Sequence, residues 1–326
     1  MGGKNVYVTR AIPDPGIDLL RRKCETVAVN PHDRAHTREE LLEAVHSRDG
    51  VLCQLADAID AGVMDAAGTC RVFSNFAVGF DNIDLAEATR RGVVVTNTPD
   101  VLTDATADLA WALILTVSRR LVEGDRMMRT GKFTGWGPMV MLGTEVTGKT
   151  LGLLGAGRIG TAVGLRAKGF RMQVIYADPI PNETLRQEVG ARRVTTEALF
   201  EESDFLSVHV PLRESTRHMV GERLLSLMKP TAFLINTSRG AVVDEKMLVK
   251  FLKGGRIAGA ALDVYQDEPR LASGLAKLPN VVLSPHIGSA TVETRSRMSL
   301  LAAENLVAVL EGRRPKCIVN PEVYEK

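Results

Sequence analysis

The chain has 326 residues, of which 45% are hydrophobic and 25% charged, and its formal net charge is +2. That length predicts about two domains, and the composition is typical of a soluble globular protein. The small net charge gives no electrostatic case for binding nucleic acid or an anionic membrane, and no apolar run approaches membrane-spanning length. No signal peptide precedes the first predicted strand, and none of the four cysteines forms a C-x-x-C pair, so we expect a cytoplasmic protein with reduced thiols.

The first hundred residues alternate predicted strands and helices. Apolar runs predict five strands: Asn5–Thr9, Glu25–Val29, Gly50–Cys53, Val72–Asn75 and Val93–Asn97. One of the helices between them opens at a capping box, in which Glu40 follows Thr37 by three residues. This alternation favours a parallel α/β sheet.

A long helical stretch is predicted over residues 103–128, because Leu109, Leu113 and Val117 recur at intervals of four. Such a helix is a candidate spacer between two domains. A loop with several glycines, a proline and Trp136 follows it, over residues 131–148.

A glycine motif organises the second half. The segment TLGLLGAGRIG, residues 150–160, joins a short apolar run to Gly155, Gly157 and Gly160 in G-x-G-x-x-G spacing, and a predicted helix continues from it. This is the dinucleotide-binding pattern, in which the glycines permit a tight turn, the approach of a pyrophosphate and close packing of helix on strand. Asp178 ends the next predicted strand, where a ribose-binding carboxylate is expected. The turn after it, Pro-Ile-Pro, contains no arginine, so the sequence predicts NAD(H) and disfavours NADPH.

After Asp178 the chain continues with predicted strands at 204–210, 232–237, 259–264 and 281–285 and with predicted helices between them. A final amphipathic helix at 292–311 then has no sheet of its own to complete. We therefore expect it to return to the first domain. The predicted domains are a discontinuous substrate-binding domain, residues 1–98 and 288–326, and an inserted Rossmann domain, residues 99–287.

Three chemically active side chains follow strands of this second sheet. Arg239 follows the predicted strand at 232–237, Glu268 the one at 259–264 and His286 the one at 281–285. Ligands of open parallel sheets bind beyond such strand ends. A guanidinium can hold a carboxylate by two parallel hydrogen bonds, and an imidazolium can protonate a carbonyl oxygen as hydride arrives at the carbon. A carboxylate beside the imidazole favours its charged form. Together the three suit reduction of a 2-oxo acid.

Each of these residues also has a structural interpretation. Arg239 could pair with Asp244, Glu268 could be a solvated turn residue before a proline, and a lone histidine such as His286 is commonly a structural residue. Their joint placement after three strands favours the catalytic interpretation. His209 lies in an apolar strand and is expected to be a core residue.

Two further patterns carry weaker signals. His32 and His36 have metal-like spacing, but no third ligand is apparent and no metal site is predicted. The segment Ala77–Gly79 follows a strand of the first domain, so its backbone N–H groups could bind an anion or could simply form a glycine turn.

Taken together, the motifs resemble the D-isomer-specific 2-hydroxyacid dehydrogenase family over nearly the full length. The matching segments are NFAVGFDNID, NTPDVLTDATADLAW, LGLLGAGRIG, HVPL, LINTSRGAVVD, ALDVYQDEP and LSPHIGSAT. The resemblance implies two parallel α/β domains, a flavodoxin-like substrate domain and an inserted Rossmann dinucleotide-binding domain. Within the family, the chain looks most similar to the glyoxylate/hydroxypyruvate reductases.

The resemblance also implies roles for individual residues. His286 would be the proton donor, Glu268 its partner and Arg239 the clamp for the substrate carboxylate, with Val78 and Gly79 as additional backbone donors. Trp136 would contact the substrate of the neighbouring subunit in a homodimer formed by the dinucleotide domains. The residues expected to bind the cofactor are Thr106, Gly155, Gly157, Arg158, Ile159, Gly160, Asp178, Val210, Pro211, Thr237, Ser238, Asp263 and Gly288.

Other activities of the same fold remain as alternatives. Phosphite dehydrogenase shares the Arg, Glu and His but places a lysine where this chain has Val78. 3-Phosphoglycerate dehydrogenase is a second alternative, although no basic cluster for a phosphate is evident. NAD-binding transcriptional corepressors keep the three polar residues but carry long tails, and a turnover assay distinguishes them from an enzyme.

Overall fold

The computed structural model describes residues 4–325, which form two compact units. One unit contains the residues up to Leu102 together with those from Ser289 onward, and the other is Thr103–Gly288. The chain therefore leaves the first unit once and returns to it once. The predicted boundaries, at 98/99 and 287/288, lie four residues and one residue before the observed ones.

The first unit is built on a five-stranded parallel sheet. Its strands are β1 (Asn5–Val8), β2 (Thr26–Val29), β3 (Gly50–Cys53), β4 (Val72–Asn75) and β5 (Val94–Thr96). They lie in the order β2-β1-β3-β4-β5, which is the flavodoxin-like order. The helices are α1 (Asp14–Lys23), α2 (Arg38–Val45), α3 (Ala61–Ala67) and α4 (Leu85–Arg91). The predicted capping box at Thr37 and Glu40 is present.

The second unit begins with α5 (Thr103–Ser118) and α6 (Leu121–Arg129). Its parallel strands are β6 (Thr150–Leu154), β7 (Gln173–Ala177), β8 (Arg192–Arg193), β9 (Phe205–Val208), β10 (Phe233–Asn236), β11 (Gly259–Leu262) and β12 (Val281–Leu283). The helices between them are α7 (Arg158–Arg166), α8 (Glu183–Val189), α9 (Thr196–Glu202), α10 (Glu222–Leu225) and α11 (Glu245–Lys253).

The order of this sheet is β12-β11-β10-β9-β6-β7-β8. Counted from its first strand it reads 3-2-1-4-5-6 with a seventh strand added, which is the Rossmann order. The order reverses beside β6, where the glycine motif begins. The predicted fold class, two parallel α/β sheets of flavodoxin-like and Rossmann type, is thus confirmed.

The single helix predicted over residues 103–128 is wrong. Arg120 has φ 53°, a left-handed conformation that a continuous right-handed helix does not admit, so α5 ends at Ser118 and α6 starts at Leu121. α5 is buried against β10, β11 and α7, whereas α6 has no buried residue. The change of direction at Arg120 thus separates a core helix from a surface helix.

The last helix, α12 (Val292–Leu310), packs on α1 and β4 of the first unit. A Cβ on Gly16 would lie 2.4 Å from the backbone oxygen of Ser299, so α1 and α12 touch there through their backbones. The Ser74 hydroxyl also donates to the Ala302 carbonyl at 2.9 Å. Across residues 4–325, none of the helices combines the length and apolar character needed to cross a membrane.

Candidate active site

The three motif glycines meet three different physical requirements. Gly155, directly after β6, has φ 94°, and a Cβ there would lie 2.9 Å from backbone atoms of His209 and Val210. A Cβ on Gly160 would lie 2.2 Å from the Gly155 oxygen, so any side chain would separate α7 from the turn. Gly157 differs from both. No described atom beyond its chain neighbours lies within 4 Å of its Cβ position, which leaves open space for a ligand.

The N-terminus of α7 faces that open space. Gly157 is its N-cap and contributes no side-chain acceptor, and the start of the helix offers the positive end of its dipole to an anion. Arg158 and Ile159 form the first turn of the helix, and Val210 follows β9 beside Gly155. Thr237, at the end of β10, is 9% exposed, and its buried hydroxyl has no partner among the described residues. These features fit a dinucleotide, which supplies or accepts hydride when bound.

Asp178 is held by backbone donors at the end of β7. Its carboxylate accepts hydrogen bonds from the N–H groups of Ala156 at 2.8 Å and Ile180 at 2.9 Å. The guanidinium of Arg193 donates to the carbonyl oxygens of Asp178 at 2.9 Å and Pro179 at 2.7 Å. The turn itself contains no arginine, but a cation from β8 lies against it. Sequence reasoning missed Arg193 because a two-residue strand carries no periodic signal.

The structure brings Glu268 and His286 together. The Nδ1 atom of His286 lies 2.9 Å from Oε2 of Glu268, and Oε1 of Glu268 accepts the Tyr265 N–H at 3.0 Å. Burial alone would raise the pKa of Glu268. The hydrogen bond and charge of His286, the Tyr265 N–H and the charge of Arg239 outweigh that effect and hold the pKa below its usual value. Glu268 is therefore an ionised partner for the imidazole near neutral pH.

A buried carboxylate fixes the segment that carries His286. Asp263 is 1% exposed and accepts hydrogen bonds from the Ser284 hydroxyl at 2.6 Å and from the N–H groups of Ile287 and Gly288, both at 2.8 Å. His286, with φ 54°, lies between these anchored positions. Asp263 was predicted to line the cofactor, and the contacts described here give it a role in holding this turn. The Thr106 side chain lies beside Gly288, about 3.4–3.5 Å from its Cβ position.

Arg239 follows β10 in a loop that touches the loop of Glu268. A Cβ on Gly240 would lie 1.9 Å from the carbonyl carbon of Tyr265, so the two loops meet backbone to backbone. One Arg239 nitrogen donates to the Ser238 carbonyl at 2.9 Å, and the Ser238 N–H donates to Asn236 at 3.0 Å. The predicted arginine, glutamate and histidine thus belong to three adjoining segments of one unit.

The first unit holds the predicted backbone donors. The Asn97 amide donates to the Val78 carbonyl at 2.8 Å, and the Asn75 amide donates to the Gly79 carbonyl at 2.8 Å. Within residues 4–325, the N–H groups of Val78 and Gly79 donate to no other residue. With its carbonyls engaged and its N–H groups available, this turn is suited to an anion.

The remaining candidates have other surroundings. His209 follows the last residue of β9 and lies beside the glycine turn at Gly155, and burial lowers its pKa to about 4. His36 bonds to the Tyr7 hydroxyl at 2.8 Å, and within residues 4–325 no three His, Cys, Asp or Glu side chains are grouped to hold a metal ion. Trp136 is 87% exposed. Pro211 follows Val210, three residues beyond the end of β9.

Fold and site together define an NAD(P)-linked oxidoreductase of 2-hydroxy and 2-oxo acids. The chain belongs to the D-isomer specific 2-hydroxyacid dehydrogenase family, whose NAD binding domain model matches residues 111–288. It is 50% identical over 324 residues to a glyoxylate reductase of Thermococcus gammatolerans, covering 98% of this chain and 97% of that protein.

Two solved structures are also similar. A glyoxylate reductase from Paecilomyes thermophila has a TM-score of 0.87 at 31% identity, covering 99% of this chain and 100% of that one. An NADPH-dependent glyoxylate/hydroxypyruvate reductase from Sinorhizobium meliloti, in complex with NADP and malonate, has a TM-score of 0.85 at 33% identity, covering 98% of this chain and 97% of that one.

Proposed function

We propose that this chain reduces glyoxylate or hydroxypyruvate to the corresponding 2-hydroxy acid, with NADH as the hydride donor. The observation that carries the proposal is the His286–Glu268 pair, 2.9 Å apart beyond the ends of the Rossmann strands. The substrate class is supported by the glyoxylate reductase relatives.

The reaction joins hydride and proton at one carbonyl group. His286 would give a proton to the carbonyl oxygen, and a bound nicotinamide would supply the hydride that the carbonyl carbon takes up. Glu268 orients the imidazole and stabilises its charged form, and Arg239 holds the substrate carboxylate in a planar, two-bonded arrangement. In the reverse direction, His286 would accept the hydroxyl proton, and the oxidised nicotinamide, when bound, would take up the hydride from the carbon.

We propose that NADH is preferred over NADPH because of Asp178. Its carboxylate can accept hydrogen bonds from the ribose hydroxyls, each worth roughly 1.5–3 kcal/mol, and a 2′-phosphate would instead add about 1 kcal/mol of repulsion. The preference in kcat/KM should be on the order of 100-fold. Arg193 lies beside the same turn, and its positive charge would reduce this preference for NADH. Equal or better kcat/KM with NADPH would contradict this assignment.

The two units take different parts in this proposal. Residues 103–288 would bind the dinucleotide, which the match to the NAD binding domain model supports. The discontinuous unit would bind the substrate, with Val78 and Gly79 donating to its carboxylate.

The three buried cysteines and the partly exposed Cys317 are all unpaired, which is compatible with the proposed cytoplasmic location.

We also propose that the chain forms a homodimer through the segment 121–142. Within these 22 residues, eight large apolar side chains are exposed, and α6 buries none of its residues. They are Leu121, Val122, Met128, Phe133, Trp136, Met139, Val140 and Leu142. An apolar surface of this density is typical of an interface, and a second copy is the occupant that the family resemblance implies. Light scattering tests it, and a monomer at micromolar concentration would contradict it.

Initial rates with glyoxylate, hydroxypyruvate and phenylpyruvate, each with NADH and with NADPH, test the whole proposal. His286→Asn is the matched control, because it should abolish turnover while leaving NADH affinity nearly unchanged. Oxidation of phosphite with NAD⁺ and reduction of 3-phosphohydroxypyruvate test the two enzyme alternatives. Turnover of none of these substrates by the wild-type chain would favour a binding protein instead.

A further inference from the structure

The first residue of α11, Glu245, is a buried carboxylate that the proposed reaction does not use. It is 3% exposed, and its Oε1 accepts the Gln266 N–H at 2.6 Å. Burial raises the pKa of Glu245, the backbone N–H groups of Gln266 and Ala272 oppose that shift, and the nearby charges of Asp267 and Glu268 add to it.

Capping of α11 does not account for this carboxylate. Asp244 already accepts hydrogen bonds from the Lys246 and Met247 N–H groups, both at 3.1 Å. Burying a carboxylate costs free energy unless hydrogen bonds compensate for the lost solvation. The groups that donate to Glu245 therefore indicate its role. The Gln266 N–H, which donates to Glu245, lies two residues before Glu268. Glu245 therefore anchors the backbone of the loop that carries Glu268.

The backbone held by Glu245 contacts the loops of Arg239, Glu268 and His286. Tyr265, adjacent to the bonded Gln266 N–H, donates its own N–H to Glu268 at 3.0 Å. The Tyr265 hydroxyl donates to the Ser284 carbonyl at 2.8 Å, two residues before His286. The peptide that joins residues 265 and 266 also meets Gly240 backbone to backbone. A shift of this peptide would displace Glu268 relative to His286.

A second contact holds Gln266 through its side chain. Oε1 of Gln266 lies 2.9 Å from Nε2 of His218, in an exposed position. This outer bond is open to solvent and should contribute little, whereas the bond from the Gln266 N–H to Glu245 is partly buried and charge-assisted. The bond to Glu245 is thus the stronger of the two anchors.

We infer that Glu245 is a positioning residue, which holds the Gln266 backbone so that Glu268 is fixed against His286. This inference rests on the proposed function, because it assigns Glu245 an effect through the Glu268–His286 pair. The effect should therefore appear in turnover and in its pH profile and should leave cofactor binding unaffected.

The experiment compares Glu245→Ala and Glu245→Gln with Glu268→Gln and with the double variant Glu245→Ala/Glu268→Gln. Glu222→Ala is the matched control, because Glu222 is also the first residue of a helix but pairs with Lys250 in an exposed position. For each protein the melting temperature, the Kd for NADH, and kcat and KM for glyoxylate across pH are measured.

Glu245→Ala should lower kcat about 10- to 100-fold, as a misplacement of about 1 Å can do, with the NADH Kd changed less than threefold. The alkaline limb of its kcat/KM profile should move to lower pH, in the same direction as in Glu268→Gln. Glu245→Gln keeps an acceptor oxygen for the Gln266 N–H but removes the negative charge, so its loss of kcat should be smaller than that of Glu245→Ala. If the alanine variant does not fold, the glutamine variant shows the same signature.

The double variant decides the inference. Because Glu245 acts through Glu268, the double variant should be no slower than Glu268→Gln alone. Multiplicative losses, or a pH profile of Glu245→Gln equal to that of the wild type, would overturn the positioning role while leaving the proposed function intact. A wild-type chain that reduces no 2-oxo acid would overturn the proposed function and this inference with it.

Discussion

Replacing Gly157 by alanine should weaken cofactor binding while leaving the stability of the fold nearly unchanged. The backbone of Gly157 has φ −71° and ψ −163°, a conformation open to alanine, and a Cβ there meets no described atom within 4 Å apart from its chain neighbours. The added methyl group would therefore not disturb the fold. It would occupy the space through which the pyrophosphate approaches the first turn of α7.

The expected magnitudes follow from this geometry. At an N-cap, alanine in place of glycine costs about 0.5–1 kcal/mol, while the lower entropy of the unfolded chain returns about 0.4–1 kcal/mol. The melting temperature should thus move by no more than about 2–4 °C. Loss of one charge-assisted bond from N–H to phosphate costs roughly 1.5–3 kcal/mol, which raises the Kd for NADH roughly 10- to 150-fold.

Gly160→Ala is the comparison variant, because its Cβ would lie 2.2 Å from the Gly155 oxygen. Overpacking of this kind costs about 1–3 kcal/mol, so Gly160→Ala should lower the melting temperature of the cofactor-free protein by roughly 2–12 °C. Thermal unfolding without ligand measures the melting temperature, and calorimetric titration with NADH measures the Kd. If Gly157→Ala binds NADH as tightly as the wild type, or melts as early as Gly160→Ala, the reasoning about this turn is refuted.

Three further predictions concern the reacting groups and the surface loop. Glu268→Gln should move the alkaline limb of the kcat/KM profile for reduction to lower pH, because the imidazolium of His286 loses its negative partner; an unmoved profile would contradict the pairing. Arg239→Lys should lose roughly 2–4 kcal/mol of transition-state binding in kcat/KM for glyoxylate, because lysine lacks the planar fork; near-normal kcat/KM would contradict the clamp. Trp136→Ala should raise the ratio of kcat/KM for phenylpyruvate to kcat/KM for glyoxylate, because pockets of this kind discriminate by about 1–3 kcal/mol per methylene-sized difference. An unchanged ratio in an intact dimer would assign Trp136 to the interface alone.

Local signals in the sequence determined most of the architecture. The bounds predicted for β3 and β4 are the observed ones, because buried parallel strands are short and largely apolar runs. The capping box at Thr37 was predicted because its hydrogen bonds join residues three positions apart. The glycine motif, with the order of strands and helices around it, indicated the Rossmann fold before any coordinates.

Tertiary structure decided the features that depend on residues distant in sequence. The break at Arg120 could not be predicted, because the helical periodicity continues through it while the backbone turns to place α5 in the core and α6 on the surface. Arg193 was missed because its contact with the Asp178 turn joins residues 15 positions apart across two strands. Glu245 was missed because a glutamate at the start of a helix looks like a cap, and only the fold brings Gln266 to it. Composition and periodicity report which residues are buried and in what local conformation, whereas the partners of a polar side chain are set by chain segments that meet only after folding.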